Sequence, residues 1–246
     1  YQLKWTHRPV ARDGKRFSAN VNLASSTYNS NNARNTNDYL QNSMSSNISY
    51  SQSFKRTPFS YTINARHDQT NETGEYNFSL PNANFSMSRQ YPIKDIVKGK
   101  KNANREFLKS IGFSYKFDFD NKMTNKHQTP GTSYIISDGK GNEIAKVDTV
   151  YDIGSAGTLD YMWETKRVGM RHTIPISASY KIGTALTINP SFNYTENWYT
   201  QQSQYSTDEV NGQDAIVVDT VTGFSRIGNY STSINLTNRM YGYYGF

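Results

Sequence analysis

IGFSYKFDFD, residues 111–120, alternates without a break. Ile111, Phe113, Tyr115, Phe117 and Phe119 occupy one parity, and Gly112, Ser114, Lys116, Asp118 and Asp120 the other. Successive side chains of a β-strand point to opposite faces, so the segment carries one apolar and one polar face. Alternation alone leaves open whether a protein core or lipid covers the apolar face.

The pattern recurs about ten times. MSSNISYSQSF (44–54) sets Met44, Ile48, Tyr50 and Phe54 against Ser45, Asn47, Ser49, Ser51 and Ser53, with Ser46 and Gln52 as exceptions. Phe17, Ala19, Val21 and Leu23 oppose Ser18, Asn20 and Asn22, and Phe59, Tyr61, Ile63 and Ala65 oppose Ser60, Thr62, Asn64 and Arg66. Further segments cover 1–8, 170–180, 185–198 and 230–240. In 75–89 the apolar parity flips at Pro81, so a bulge is expected there. Successive alternating segments separated by turn residues predict an antiparallel all-β meander.

Composition bears on what covers the apolar faces. The 246 residues are 35% hydrophobic, 14% aromatic and 19% charged, with no cysteine, and the mean hydropathy is −0.78. Aliphatic residues are too few for a large soluble core, and aromatics are too many for a disordered chain. A membrane barrel escapes both objections, because lipid wets one face and an aqueous lumen the other. No apolar run approaches the roughly 18–20 residues of a membrane helix, whereas a membrane strand needs only about 9–11. A soluble sandwich or solenoid fits less well, because the strands exceed the usual five or six residues or so. The expected architecture is an up-and-down transmembrane β-barrel over 1–246, about ten strands of a larger wall.

Connections between the strands alternate in length. Short turns fall at 9–15, 55–58, 181–184 and 227–229, and longer polar loops at 26–43, 68–74, 121–168 and 200–213. Bacterial barrels keep short turns in the periplasm and long loops outside. The basic segment 93–109 breaks the rule, since its parity assigns it to the short-turn end. It reads as a solvated connection or as a contact surface for anionic headgroups or phosphates. The formal charge of +7 is otherwise spread over loops, so no nucleic-acid stripe is expected. Phe54, Phe59, Tyr28, Tyr91, Trp198 and Tyr199 at strand ends fit interfacial girdles.

Catalytic signatures are missing. His7, His67, His127 and His172 are scattered singly and read as wall or loop positions, so no metal site is expected. No nucleophile elbow, phosphate loop or dinucleotide fingerprint occurs. Asp118 and Asp120 read as lumen or rim charges, and SDGKGNE (137–143) as a hairpin tip. No catalytic or cofactor-binding residue, no cofactor and no enzymatic activity are expected, and no substrate-binding residue can be named.

GMRHTIPISASYKIGTALTINPSFNYTENWY (169–199) resembles the barrel of the outer-membrane lipopolysaccharide-assembly proteins, the LptD or OstA-like family, in the form carried by Bacteroidota. FSANVNLASSTYN (17–29), ISYSQSFKRTPFSYTINARHDQ (48–69), SLPNANFSMSRQYPIK (79–94) and DTVTGFSRIGNYSTSINLTNRMYG (219–242) support the likeness. The resemblance implies a Gram-negative outer-membrane translocon, preceded by a periplasmic jellyroll and plugged by an LptE-like lipoprotein. Lipopolysaccharide and membrane lipids are the implied partners, with passage through the lumen and a lateral gate. No jellyroll and no gate strand are identified in this chain, which is expected to be an interior portion continuing beyond Phe246. A general porin or TonB-dependent-type uptake barrel is the alternative.

Overall fold

The computed structural model describes residues 2–25, 43–70, 73–97, 102–127, 132–137, 140–143, 149–183, 185–210 and 213–238. Strands are β1 (Gln2–His7), β2 (Lys15–Ala24), β3 (Ser43–Ser53), β4 (Phe59–Thr70), β5 (Glu75–Gln90), β6 (Gly112–Thr124), β7 (Lys126–His127), β8 (Thr132–Ser137), β9 (Lys140–Glu143), β10 (Thr149–Val150), β11 (Arg167–Ser177), β12 (Tyr180–Ile182), β13 (Leu186–Val210) and β14 (Gln213–Asn238). Two helices interrupt them, α1 (Ala103–Ser110) and α2 (Ala156–Glu164).

The expected meander is present. β1 to β6, β11, β13 and β14 lie side by side in chain order, and every pair is antiparallel. The register joins apolar to apolar positions across the wall: Phe59 faces Met87, which faces Tyr115, while Ile176 lies between Phe113 and Phe192. Polar positions do the same, with Thr62, Asn84, Asp118, Arg171 and Asn197 in one row. A slip of one residue in any strand would invert its faces, so the alternation itself specifies this register.

Pro81 behaves as its sequence context implies. Ser79 and Asn82 of β5 face Lys122 and Asp120 of β6, so β5 spends one extra residue there. This bulge returns Tyr76 and Phe78 to the face of Ala83, Phe85 and Met87. Phe78 consequently faces Met123 on one side and His67 on the other. Gly14, at φ +76°, closes the β1–β2 turn, where its α-carbon side faces the Ser53 carbonyl too closely for a Cβ.

Two expected loops and one expected turn are different: 227–229 continues β14 and pairs with 195–197 of β13, so no turn breaks the strand there. The stretch 200–213 is mostly strand: β13 and β14 run 25 and 26 residues and stay paired to Val210 and Gln213. Residues 200–207 are polar on both parities, so they carry no alternation signal, yet pairing with 213–222 continues past a register shift after Tyr199. The stretch 121–168 holds the end of β6, β7 to β10 and α2, and its β8–β9 hairpin adds to the edge of β14. The loop expected at 26–43 lies outside the described residues except for Ser43.

No extensive apolar core lies behind this sheet among the described residues. Among the described residues the buried hydrophobic side chains are Ala19, Ala24, Met44 and Met162, with no Phe, Leu, Ile or Trp. Ile63 is 45% exposed and Ile234 66%. A soluble sheet of this width would bury such a face, because an uncovered apolar patch this large costs solubility.

Candidate functional site

The polar face carries the side chains able to meet a hydrophilic solute. Its middle is built from hydroxyl and amide groups that hydrogen-bond one another across strands. Ser60 and Ser86 share a bond of 2.8 Å, and Ser191 and Ser233 one of 2.6 Å. Arg171 Nε donates to Asn197 Oδ1 at 2.9 Å.

Charges on this face come in pairs. Lys116 lies 2.9 Å from Asp118, Lys122 3.2 Å from Asp120, and Arg66 2.7 Å from Asp68. Asn84 donates to Asp118 at 2.6 Å, and Ser79 and Asn82 donate to Asp120 at 2.6 and 3.2 Å. Asp118 and Asp120 thus stand on the polar parity, each neutralised by a lysine on its own strand and held by an amide or hydroxyl from β5. Such pairs lack a single dominant charge, so a solute meets many weak partners and no tight one.

Two hollows open on the polar face. A cavity of about 590 Å³ opens on it toward the long-loop end, lined by Arg66, Asp68, Asn82, Asp120, Lys122 and Arg167 among others. A second, of about 450 Å³, lies toward the short-turn end against Arg89, Ser177, Asn189, Ser191, Ser233 and Asn235. Arg89 crosses to β11 there, donating to the Ser177 hydroxyl and carbonyl at 2.6 Å each.

The apolar face also carries ionisable side chains that its alternation does not announce. His172 shares its parity with Ile174 and Ile176, and Glu196 with Tyr194 and Trp198. Tyr115 Oη and His172 Nδ1 share a hydrogen bond of 2.8 Å, and the His172 ring lies 4.2 Å from Trp198 and 4.9 Å from Phe117. Glu196 accepts from the Tyr194 hydroxyl at 2.8 Å and from Trp198 Nε1 at 3.0 Å, and lies 3.3 Å from Arg226. In hydrocarbon such groups must be satisfied by the protein itself, and the carboxylate here is. The signal was available in the parity of positions 172, 196 and 226.

His67 and His7 are apart from it. His67 is 5% exposed on the apolar parity, with the rings of Phe78 and Tyr76 at 5.0 and 5.7 Å. His7 stacks on Trp5 at 5.9 Å. Among the described residues no three His, Cys, Asp or Glu side chains converge as a metal site would need.

A family model described as LptD protein matches residues 1–246, the whole of the chain. No curated protein matches it, and no solved structure does.

Proposed function

Because this chain belongs to the LptD protein family of lipopolysaccharide transport and assembly at the outer membrane, we propose that it forms wall strands of the translocon delivering lipopolysaccharide to the outer leaflet. The carrying observation is a sheet whose apolar face leaves Ile63, Phe192 and Ile234 exposed and whose polar face is lined by mutually satisfied hydroxyls, amides and paired charges. Lipid solvates the first face, and the saccharide moves over the second. A sugar exchanges water for Ser, Asn and Thr partners of similar strength, so it is neither repelled nor trapped. No bond is made or broken in this step, and the wall acts without catalysis.

An outer-membrane lipoprotein of the LptE kind fills the lumen in this reading, and the acyl chains leave through a lateral gate. General porin or nutrient-uptake activity is the weaker alternative, because family membership points to lipopolysaccharide. A photo-crosslinking side chain decides the assignment of faces. Placed at Asn82 in the complete protein during active transport, it should capture lipopolysaccharide by its saccharide. Placed at Ile63 it should capture phospholipid. Absence of lipopolysaccharide adducts at Asn82, with transport intact, refutes the luminal route.

A further inference from the structure

We propose that the short-turn rim, centred on α1, docks the headgroups of anionic phospholipids in the leaflet it faces. The proposal rests on the membrane-wall reading above and adds a lipid specificity to it.

The first observation is where the charge lies once the topology assigns each connection to an end. Among the described residues, 8–16, 54–58, 88–97, 102–111, 178–183 and 185–186 belong to the short-turn end and contain eleven Lys and Arg against three Asp and Glu. The described residues at the other end, 68–70, 73–75, 121–127, 132–137, 140–143, 149–167, 200–210 and 213–225, contain five against ten. A net charge of +7 for the chain therefore conceals, among the described residues, +8 at one rim and −5 at the other. A field of that sign at a membrane surface draws anions from the adjoining headgroup layer.

The second observation is the seat of α1. Asn102 caps it, accepting from Arg105 N at 2.9 Å. At its other end, Ser110 Oγ accepts from Ser179 N at 2.8 Å and donates to Ser179 O at 3.0 Å. The helix is thereby held beside β12. Phe107 meets the Tyr180 ring edge-on at 5.5 Å. Tyr180 faces Ile188 in register and so stands on the lipid parity. Phe107 is on the lipid side of the rim.

The third observation is what the rim leaves open. Ile96 is 75% exposed, and Leu108 of α1 and Ile182 of β12 are also exposed. Lys94, Arg105 and Lys109 stand among them in the chain, with Lys109 held at 3.3 Å by Glu106. Apolar side chains beside cations at the edge of a lipid-facing wall match the interfacial layer, where acyl chains meet charged headgroups. A soluble acidic partner would account for the cations and leave Ile96 and Leu108 without a medium.

The test uses the complete protein in phosphatidylethanolamine vesicles containing a trace of spin-labelled phosphatidylglycerol or spin-labelled phosphatidylcholine, at constant ionic strength. Electron paramagnetic resonance reads the lipid immobilised against the protein. Phosphatidylglycerol is expected to be preferred about fivefold, the worth of one basic residue at an anionic surface. The preference should fall toward unity in Lys94→Gln/Arg105→Gln/Lys109→Gln, with the amount of immobilised lipid unchanged. Immobilised lipid without a headgroup preference overturns the proposal and leaves the wall reading standing. A preference that survives the triple substitution overturns the assignment to α1. No immobilised lipid at all overturns the wall reading, and the proposal with it.

Discussion

Replacing Phe117 with arginine is the sharpest energetic probe of the two faces. Phe117 lies five residues past Gly112, the first residue of β6. At about 3.4 Å per residue and a tilt near 45°, that is about 12 Å above the short-turn rim, half of an apolar band about 25 Å tall. Its flanking partners are Phe85 and His172, and no acid lies directly beside it to receive the guanidinium. An outward-facing arginine at mid-depth costs about 2–4 kcal/mol, a shift of roughly 30- to 900-fold in the folding equilibrium. Thr62, in the polar row with Asn84 and Asp118, lies at a similar depth. Thr62→Arg keeps its charge in water near a carboxylate and should move stability by about 0.5 kcal/mol or less. Phe113→Arg, one residue from the strand start, should cost about 0–1 kcal/mol, because the penalty falls toward the interface. Urea titration of folding into vesicles, read by heat-modifiable gel mobility, measures all three. Equal costs at Phe117 and Thr62 would refute the assignment of lipid and water.

Three further outcomes test separate parts of the structure. Glu196→Leu strips Arg226, Tyr194 and Trp198 of their shared acceptor, so it should destabilise more than the double change Glu196→Leu/Arg226→Leu in the same titration; a larger loss in the double variant counts against an outward ionic cluster. Asn125, fully buried, accepts from Tyr76 N at 2.7 Å and donates to the carbonyls of Gly74 and Tyr151 at 3.0 and 2.7 Å. Asn125→Ala should cost about 1–3 kcal/mol and speed proteolysis between 125 and 166, and an unchanged cleavage rate contradicts that role. Gly14→Ala forces a side chain into a left-handed turn against the Ser53 carbonyl, so thermal unfolding should show a loss of about 1–2 kcal/mol, whereas an unchanged midpoint denies the close approach.

The wall was legible because its chemistry alternates. Wherever Phe, Tyr, Ile and Leu shared one parity, as in 111–120, strand, face and register followed together. The long β13–β14 extension was not legible, since Gln201, Gln202 and Gln204 give both faces the same polarity. There, continued pairing comes from the partner strand and leaves no mark in the segment itself. The outward His172–Glu196–Arg226 cluster failed to register for the opposite reason: its neighbours Ile174, Tyr194 and Trp198 made the parity read as apolar throughout. Charge was the subtlest case. Basic residues looked scattered along the chain, and their concentration at one rim emerges only when each connection is assigned to an end. Asp118 and Asp120 could be given a face from sequence, but their lysine and amide partners needed the register of β5 on β6.

The central claim is that lipid wets one parity of each strand and water the other. The chain has no cysteine, so single cysteines at consecutive positions 113–118 of β6, with any cysteine elsewhere in the complete protein replaced, report each site alone. In the complete protein within intact outer membranes, a water-soluble maleimide should modify positions 114, 116 and 118 and spare 113, 115 and 117. Uniform modification, or protection of the even positions, would contradict the account.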